Sequence, residues 1–175
     1  MTARAGIMAC LLLCWCFGPP ARATGFQQIP PGLAVEPPRL DLVRIDGPGT
    51  YRLLGRTRDG KTLAAVIRVS KIPPDWYAGT DLAHAKTIVT HLEIERQNRP
   101  VLVGLSAYAA LVDPHEVFFE VGSKGTRLVI TGGDASNFYK VVMLLGAQHV
   151  LRRESYGLAP EPVERTIYWL RELKD

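Results

Sequence analysis

The chain has 175 residues, 47% of them hydrophobic and 22% charged, and a formal net charge of +4 at pH 7. This composition supplies enough apolar residues for one folded domain, which excludes an intrinsically disordered chain. The mild positive charge is spread along the sequence, so it does not indicate a protein that binds nucleic acid or an anionic membrane.

The first 23 residues have the features of a secretory signal peptide. Arg4 precedes an apolar run over residues 7–17, and a Gly-Pro-Pro break then leads to the small residues of Ala21-Arg22-Ala23. The run is too short to span a bilayer, and we expect cleavage after Ala23 and a periplasmic or secreted protein. The three cysteines all belong to this segment, and bulky residues precede Cys14 and Cys16, which disfavours a lipid anchor. We therefore expect a mature chain without disulfides.

Proline dominates the next segment, residues 24–49. Because proline lacks the backbone N–H that a continuous β-ladder requires, we predict an extended arm, acting as a linker or as a strap across the domain. A single β-rich domain is then predicted over residues 50–175.

Two β-type runs, 51–58 and 61–70, flank Asp59-Gly60 and predict the first hairpin. An Asp-Gly pair is typical of a type I′ turn, in which both central residues have positive φ. The loop that follows contains Trp76 and Tyr77 among prolines and a glycine. These two rings could present a binding surface for a sugar or a peptide, or they could close the open end of a sheet.

The middle of the chain continues the β pattern. Residues 85–96 alternate apolar and polar side chains, as a half-buried strand does, and a turn at 97–99 leads to a further strand over 101–105. Alanine and leucine in residues 106–112 favour one helical turn, which has to end before Pro114.

The segment 115–156 carries the strongest structural signal, because four β-type runs are separated by three turn signals. Glycines at both ends of 122–125 suit a hairpin turn, and the alternation in 126–132 directs one side toward a core. Residues 138–145 are more continuously apolar and predict a central strand or one covered on both faces. A buried helix of similar length is the alternative, but Phe, Tyr and two valines favour the strand. A last strand is predicted over residues 163–170.

Together these elements predict a mainly β protein. We expect an antiparallel meander that forms a sandwich or an open barrel, with at most one or two short helical turns.

Several patterns resemble catalytic motifs, but each lacks a residue that the chemistry requires. His115-Glu116 could begin a zinc-binding helix, but Phe119 occupies the position of the second histidine. Gly104 and Ser106 could begin a nucleophile elbow, but Tyr108 replaces the closing glycine. No catalytic residue, metal site or cofactor is therefore predicted.

The most distinctive polar residues lie on either side of the meander's first strands. The candidate binding residues are Trp76, Tyr77, Tyr108, Asp113, His115, Asp134 and Tyr139. Gly132-Gly133 before Asp134 suggests a tight turn whose carboxylate caps backbone N–H groups. The alternative is a shared pocket, formed where the segment before Pro114 crosses the end of this turn.

Two of these segments also carry a resemblance. LSAYAALVDP over residues 105–114 and GGDASNFY over residues 132–139, followed by a strand with Arg152-Arg153, are similar to small exported bacterial proteins that carry no assigned function. The resemblance covers the C-terminal half of the chain. It implies export and no particular activity.

The function expected from the sequence is that of a non-enzymatic, exported binding protein whose partner is an envelope protein or a small ligand, without nucleic acid and without a stable membrane span. Two alternatives stay open. One is a hydrolase with a polar site near Asp113, His115, Asp134 and Tyr139. The other is a structural protein of the envelope that docks through an exposed strand edge.

Overall fold

The computed structural model describes residues 39–73 and 84–169. The predicted signal peptide, the arm before residue 39 and the loop with Trp76 and Tyr77 lie outside these residues. The elements are β1 (Arg39–Arg44), β2 (Gly49–Arg56), β3 (Thr62–Lys71), β4 (Thr87–Arg96), β5 (Arg99–Val101), a single-turn 3-10 helix (Leu105–Ala107), β6 (Pro114–Gly122), β7 (Gly125–Gly132), β8 (Tyr139–Leu145), β9 (Val150–Tyr156) and β10 (Pro162–Ile167). Among the described residues, no helix is long and apolar enough to cross a membrane.

The strands form two antiparallel sheets. The six-stranded sheet has the order β1-β6-β7-β8-β9-β10, and the four-stranded sheet has the order β2-β3-β4-β5. From β6 to β10 each strand pairs with the next one in the chain, which confirms the predicted meander. Short turns make this order possible, because an antiparallel neighbour needs only a hairpin connection.

One apolar core lies between the two sheets. Alternate residues of strands in both sheets point into it, for example Ile67 of β3 and Leu128 and Ile130 of β7, all nearly inaccessible to solvent. Phe119 of β6 lies in the same core and is fully buried. The predicted mainly β fold is thus confirmed, and its two packed sheets form a sandwich.

The central strands of the six-stranded sheet are buried on their outer face as well. Phe118, Val129 and Val142 lie side by side there in a second apolar cluster, against which Tyr156 packs. The prediction of a central strand over residues 138–145 is therefore confirmed, since β8 lies between β7 and β9 and Val142 is buried on its outer face.

The first strand lies in the segment predicted as an arm. Arg39–Arg44 pairs with β6, with an irregular register between Leu40 and Val43. A strand is possible here because Pro38 and Pro48 bracket the segment without interrupting it, so its backbone donors are available.

One turn and one strand differ from the prediction in detail. The hairpin at Asp59-Gly60 is present, but the type I′ turn is wrong, because only Gly60 has positive φ, at +79°. Thr57 N donates to Lys61 O at 2.8 Å and thereby closes a longer loop. The predicted turn after residue 96 is present, with positive φ at Gln97 and Asn98. It is one residue shorter than predicted, so β5 covers Arg99–Val101 and the predicted strand over 101–105 is confirmed only at Val101.

The segment after β5 covers a part of the six-stranded sheet that the four-stranded sheet does not reach. Ala107 of the single-turn helix is fully buried in the core, and its carbonyl accepts a hydrogen bond of 3.2 Å from Nε of Arg153, a buried, inward-facing residue of β9. The predicted helical turn is therefore confirmed, although it is shorter than residues 106–112. This segment covers the inner face of β9 because the four-stranded sheet does not extend that far.

Candidate functional site

Segments that are distant in the sequence meet at an open cleft of about 790 Å³, which we call the Asp113 cleft. The β1–β2 connection, the end of β3, the start of β4 and the β7–β8 turn all contribute to its walls. Its charged and imidazole side chains are those of Asp46, Lys71, His84, Lys86, Asp113, His115 and Asp134.

Asp113 lies where the chain leaves the four-stranded sheet and enters the six-stranded one. Its N–H donates to Thr87 O at 2.9 Å, and its carbonyl accepts from Gly133 N at 3.0 Å. The adjacent residue Val112 still bridges to Ile88 beside β4, whereas Pro114 already pairs in β6. The backbone of Asp113 has a φ of +42° at this crossing, a conformation that aspartate tolerates better than most residues.

The carboxylate of Asp113 is occupied by its own chain. Its Oδ1 atom accepts hydrogen bonds from Thr87 N at 2.8 Å, Thr87 Oγ1 at 2.9 Å and Lys86 N at 3.0 Å, and Oδ2 accepts from Lys86 N at 3.2 Å. These bonds satisfy the two backbone donors at the start of β4. Asp113 therefore stabilises the wall of the cleft that is formed by the start of β4.

Asp134 has a similar structural role in the β7–β8 turn. Its Oδ1 atom accepts from Ser136 N at 2.9 Å, Ser136 Oγ at 2.7 Å and Asn137 N at 2.9 Å, which confirms the predicted cap. These hydrogen bonds, first those from Ser136, lower the pKa of the Asp134 carboxyl, and nearby His84 acts in the same direction. His84, in the connection before β4, thus lies close enough to the β7–β8 turn to act on the Asp134 carboxylate.

The wall behind Asp134 depends on two glycines and a tyrosine. Gly133 has φ +82°, and a Cβ at this position would also collide with the backbone of Asn137. Gly132 has an ordinary φ, but a Cβ there would lie 2.6 Å from Asp113 O and would collide with the Tyr139 hydroxyl. The twin glycines are therefore needed for two reasons, one conformational and one steric.

Tyr139 lies behind this turn with a buried hydroxyl that has no hydrogen-bond partner among the described residues. Burial raises the pKa of the Tyr139 phenol, and the negative charge of Asp113 raises it further. The phenol therefore stays protonated at physiological pH and cannot act as a base.

The basic side chains of the cleft make fewer contacts with the described residues. Those of Lys71, Lys86, His84 and His115 form no ion pair or hydrogen bond with another described residue, although His84 lies near enough to Asp134 to act on it electrostatically. All four residues are exposed. Among the described residues, His115 is held in place through its backbone, whose carbonyl accepts from Ile45 N at 2.8 Å.

Two hydroxyls in this region lie within hydrogen-bond reach of a carboxylate, Thr87 Oγ1 at 2.9 Å from Asp113 Oδ1 and Ser136 Oγ at 2.7 Å from Asp134 Oδ1. In both pairs the same carboxylate oxygen also accepts backbone N–H groups, so these contacts serve the local structure. Among the described residues, no group of three or more His, Cys, Asp and Glu side chains is arranged to hold a metal ion.

The structure brings together some of the predicted site residues. Asp113, His115 and Asp134 line one cleft, and Tyr139 lies directly behind it. Tyr108 is not among the lining residues, because it packs partly buried against the main core. Trp76 and Tyr77 lie outside the described residues.

Sequence reasoning missed four side chains of this cleft: Asp46, Lys71, His84 and Lys86. They belong to no motif, and each stands at the end of a strand or in a connection. The signal that could have identified Lys71 and Lys86 is the pairing of the consecutive strands β3 and β4. This pairing places Lys71 opposite Thr87 and next to Lys86. A strand that ends beside another strand's beginning brings their flanking side chains to the same edge of the sheet.

The fold and this cleft define an antiparallel β-sandwich with an open, polar cleft. No family model matches the chain, and neither a curated protein nor a solved structure was found to be similar to it. The resemblance to exported bacterial proteins stays a prediction.

Proposed function

We propose that the protein is an exported, non-enzymatic binding protein, and that its ligand is a small anionic molecule held in the Asp113 cleft. The proposal is supported by a difference between the acidic and the basic side chains of this cleft in the hydrogen bonds and ion pairs that they form. Asp113 and Asp134 direct their oxygens to backbone and hydroxyl donors, whereas Lys71 and Lys86 have no ionic partner among the described residues. Among the described residues of the cleft, two ammonium groups thus have free donors, and Asp46 has a carboxylate with free oxygens. Asp113 and Asp134 keep their negative charge, so a ligand would be held by these donors and not by the net charge of the cleft.

The volume and the exposure of the cleft support a small ligand. A cleft of about 790 Å³ lies within the size range of small-molecule sites, which runs from about 300 to 1,000 Å³. His84 and His115 add two imidazole donors to the same surface, and a carboxylate or phosphate accepts hydrogen bonds from all these groups.

The hydrolase alternative has less support. Asp113 and Asp134 act as structural acceptors, and the phenol of Tyr139 is buried and protonated. Of the four residues in that alternative, only His115 has a side chain that is both exposed and unengaged.

Titration of the protein with citrate, monitored by backbone amide chemical shifts, tests the proposal. We expect saturable shifts at Asp46, Lys86, His115 and Asp134, and no saturable shifts with glucose or spermidine. Joint substitution of Lys71→Gln and Lys86→Gln should weaken citrate binding about tenfold or more, since it removes two charge-assisted contacts.

Lys124→Gln is the matched control, because Lys124 is exposed in the turn at the opposite end of β6. It should leave citrate binding unchanged. Binding that is equally strong in the Lys71/Lys86 variant, or no saturable response to citrate, would contradict the proposed ligand class.

A further inference from the structure

β10 is an open edge of the six-stranded sheet. Among the described residues it pairs with β9 alone. Tyr168 N donates to Leu151 O at 3.0 Å, and in the same register Thr166 faces Arg153. Because hydrogen-bonded and non-bonded pairs alternate in an antiparallel ladder, the N–H and C=O groups of Arg165 and Ile167 point away from the sheet.

The features that usually protect such an edge are confined to the start of β10, where Pro162 lacks a backbone N–H and the pairing with β9 shifts register between Pro162 and Glu164. Charged side chains on an edge strand normally oppose pairing with another chain. In β10, however, Arg153 Nη1 lies 2.7 Å from Glu164 Oε2, and Arg165 Nε lies 2.8 Å from Glu154 Oε1. Both charges of β10 are therefore neutralised by β9, and the edge carries no net charge.

Apolar side chains are exposed along the same edge. The three most exposed large apolar residues of the described chain are Trp169 (87%), Leu158 (80%) and Val163 (71%), and all three lie on or beside β10. Ile167, in the strand itself, is 54% exposed. A local concentration of this kind marks an interaction surface, whereas single exposed apolar residues are common.

We propose that β10 pairs antiparallel with β10 of a second copy of this chain, so that the two six-stranded sheets become continuous. The sequence of the strand is self-complementary in this arrangement. A two-fold axis beside Arg165 places Val163 opposite Ile167 of the second copy, and the reverse pair forms on the other side of the axis. Arg165 meets its own equivalent, but each of these guanidinium groups is already paired with Glu154.

This surface shares no residue with the Asp113 cleft, so the two proposals are independent. The contact consists mainly of one strand pair and a few side chains. We therefore expect a weak, reversible dimer.

Analytical ultracentrifugation of the full chain over a range of concentrations tests the inference. The wild type should show a reversible monomer–dimer equilibrium. Joint substitution of Val163→Lys and Ile167→Lys places lysine opposite lysine and should raise the dissociation constant about tenfold or more. Leu54→Lys is the matched control, since Leu54 is 61% exposed on β2, and it should leave the dimer unchanged.

Hydrogen exchange identifies the paired strand directly. The amides of Arg165 and Ile167 should exchange more slowly at high protein concentration in the wild type and in Leu54→Lys, but not in the double lysine variant. A wild-type protein that is monomeric at every concentration overturns the inference. It is equally overturned by a dimer that survives the double substitution, or by a dimer that Leu54→Lys dissociates.

Discussion

Asp113 and Thr87 hold each other by three hydrogen bonds across 26 residues of sequence. Thr87 gives its backbone N–H and its hydroxyl to the Asp113 carboxylate, and Asp113 returns its own N–H to the Thr87 carbonyl. This pair joins the start of β4 to the start of β6, and thereby fixes one wall of the Asp113 cleft.

The first prediction concerns this pair. Asp113→Ala should lower the free energy of unfolding by about 2 to 3 kcal/mol, because backbone donors lose a charged acceptor and alanine disfavours a positive φ. Asp113→Asn should cost less, since asparagine keeps one acceptor and tolerates this φ. Urea denaturation measures both. The exposed carboxylate of Asp46 supplies the control, and Asp46→Ala should leave the stability within about 0.5 kcal/mol of the wild type.

The second prediction separates the two glycines of the β7–β8 turn from an ordinary glycine. Gly132→Ala and Gly133→Ala should each destabilise the protein by more than about 1 kcal/mol, the first through collision and the second through its φ as well. Gly157→Ala should be nearly neutral, because a Cβ there meets no atom within 4 Å. Equal melting temperatures for all three variants would show that the turn relaxes without cost.

The third prediction concerns the buried hydroxyl of Tyr139. Tyr139→Phe should keep or raise stability, by up to about 1 kcal/mol, because it removes a buried polar atom that has no partner. The raised pKa also has a consequence at alkaline pH. The unfolded chain loses the phenol proton near pH 10, whereas the folded protein retains it, so stability should fall as the pH rises above 10. This part of the fall should be absent in Tyr139→Phe, as thermal unfolding in alkaline buffers can measure.

The fourth prediction uses the lowered pKa of Asp134. The folded state favours the ionised carboxyl, so its stabilising effect should be present above the ordinary pKa of 3.8 and should disappear as the pH falls through the lowered value. Asp134→Ala should therefore lower the melting temperature at neutral pH and have little effect in strong acid. Asp134→Asn preserves an acceptor for Ser136 and Asn137, so its melting temperature at neutral pH should lie between those of the wild type and of Asp134→Ala. A deficit of Asp134→Ala that is independent of pH would contradict this account.

The fifth prediction follows from the N-terminal sequence. The form purified from the cell envelope or the medium should begin at Thr24 and carry no lipid, because the cleavage pattern at Ala23 is complete. Intact-mass spectrometry decides this. Retention of the first 23 residues, or an acylated cysteine, would contradict the predicted cleavage after Ala23 without lipidation.

The sequence determined the features that depend on neighbouring residues. The positions of the hairpins at Asp59-Gly60 and over residues 122–125 follow from glycine and aspartate, whose backbone preferences act over three or four positions, although the turn type at Asp59-Gly60 does not. The Asp134 cap is local for the same reason, since its donors are two and three residues away. The meander followed from alternation within each strand, because consecutive antiparallel strands need only short turns.

Only the tertiary structure decided which distant residues share a surface. Lys71, His84 and Asp134 belong to different local patterns, and they meet because the two sheets bring a strand end, a strand start and a turn to one place. The structure also decided that Asp113 serves as an acceptor for Thr87, since a carboxylate looks the same in sequence whether its oxygens are engaged or available. Local propensity has a range of a few residues, whereas the position of one sheet on another is set by the packing of the whole core.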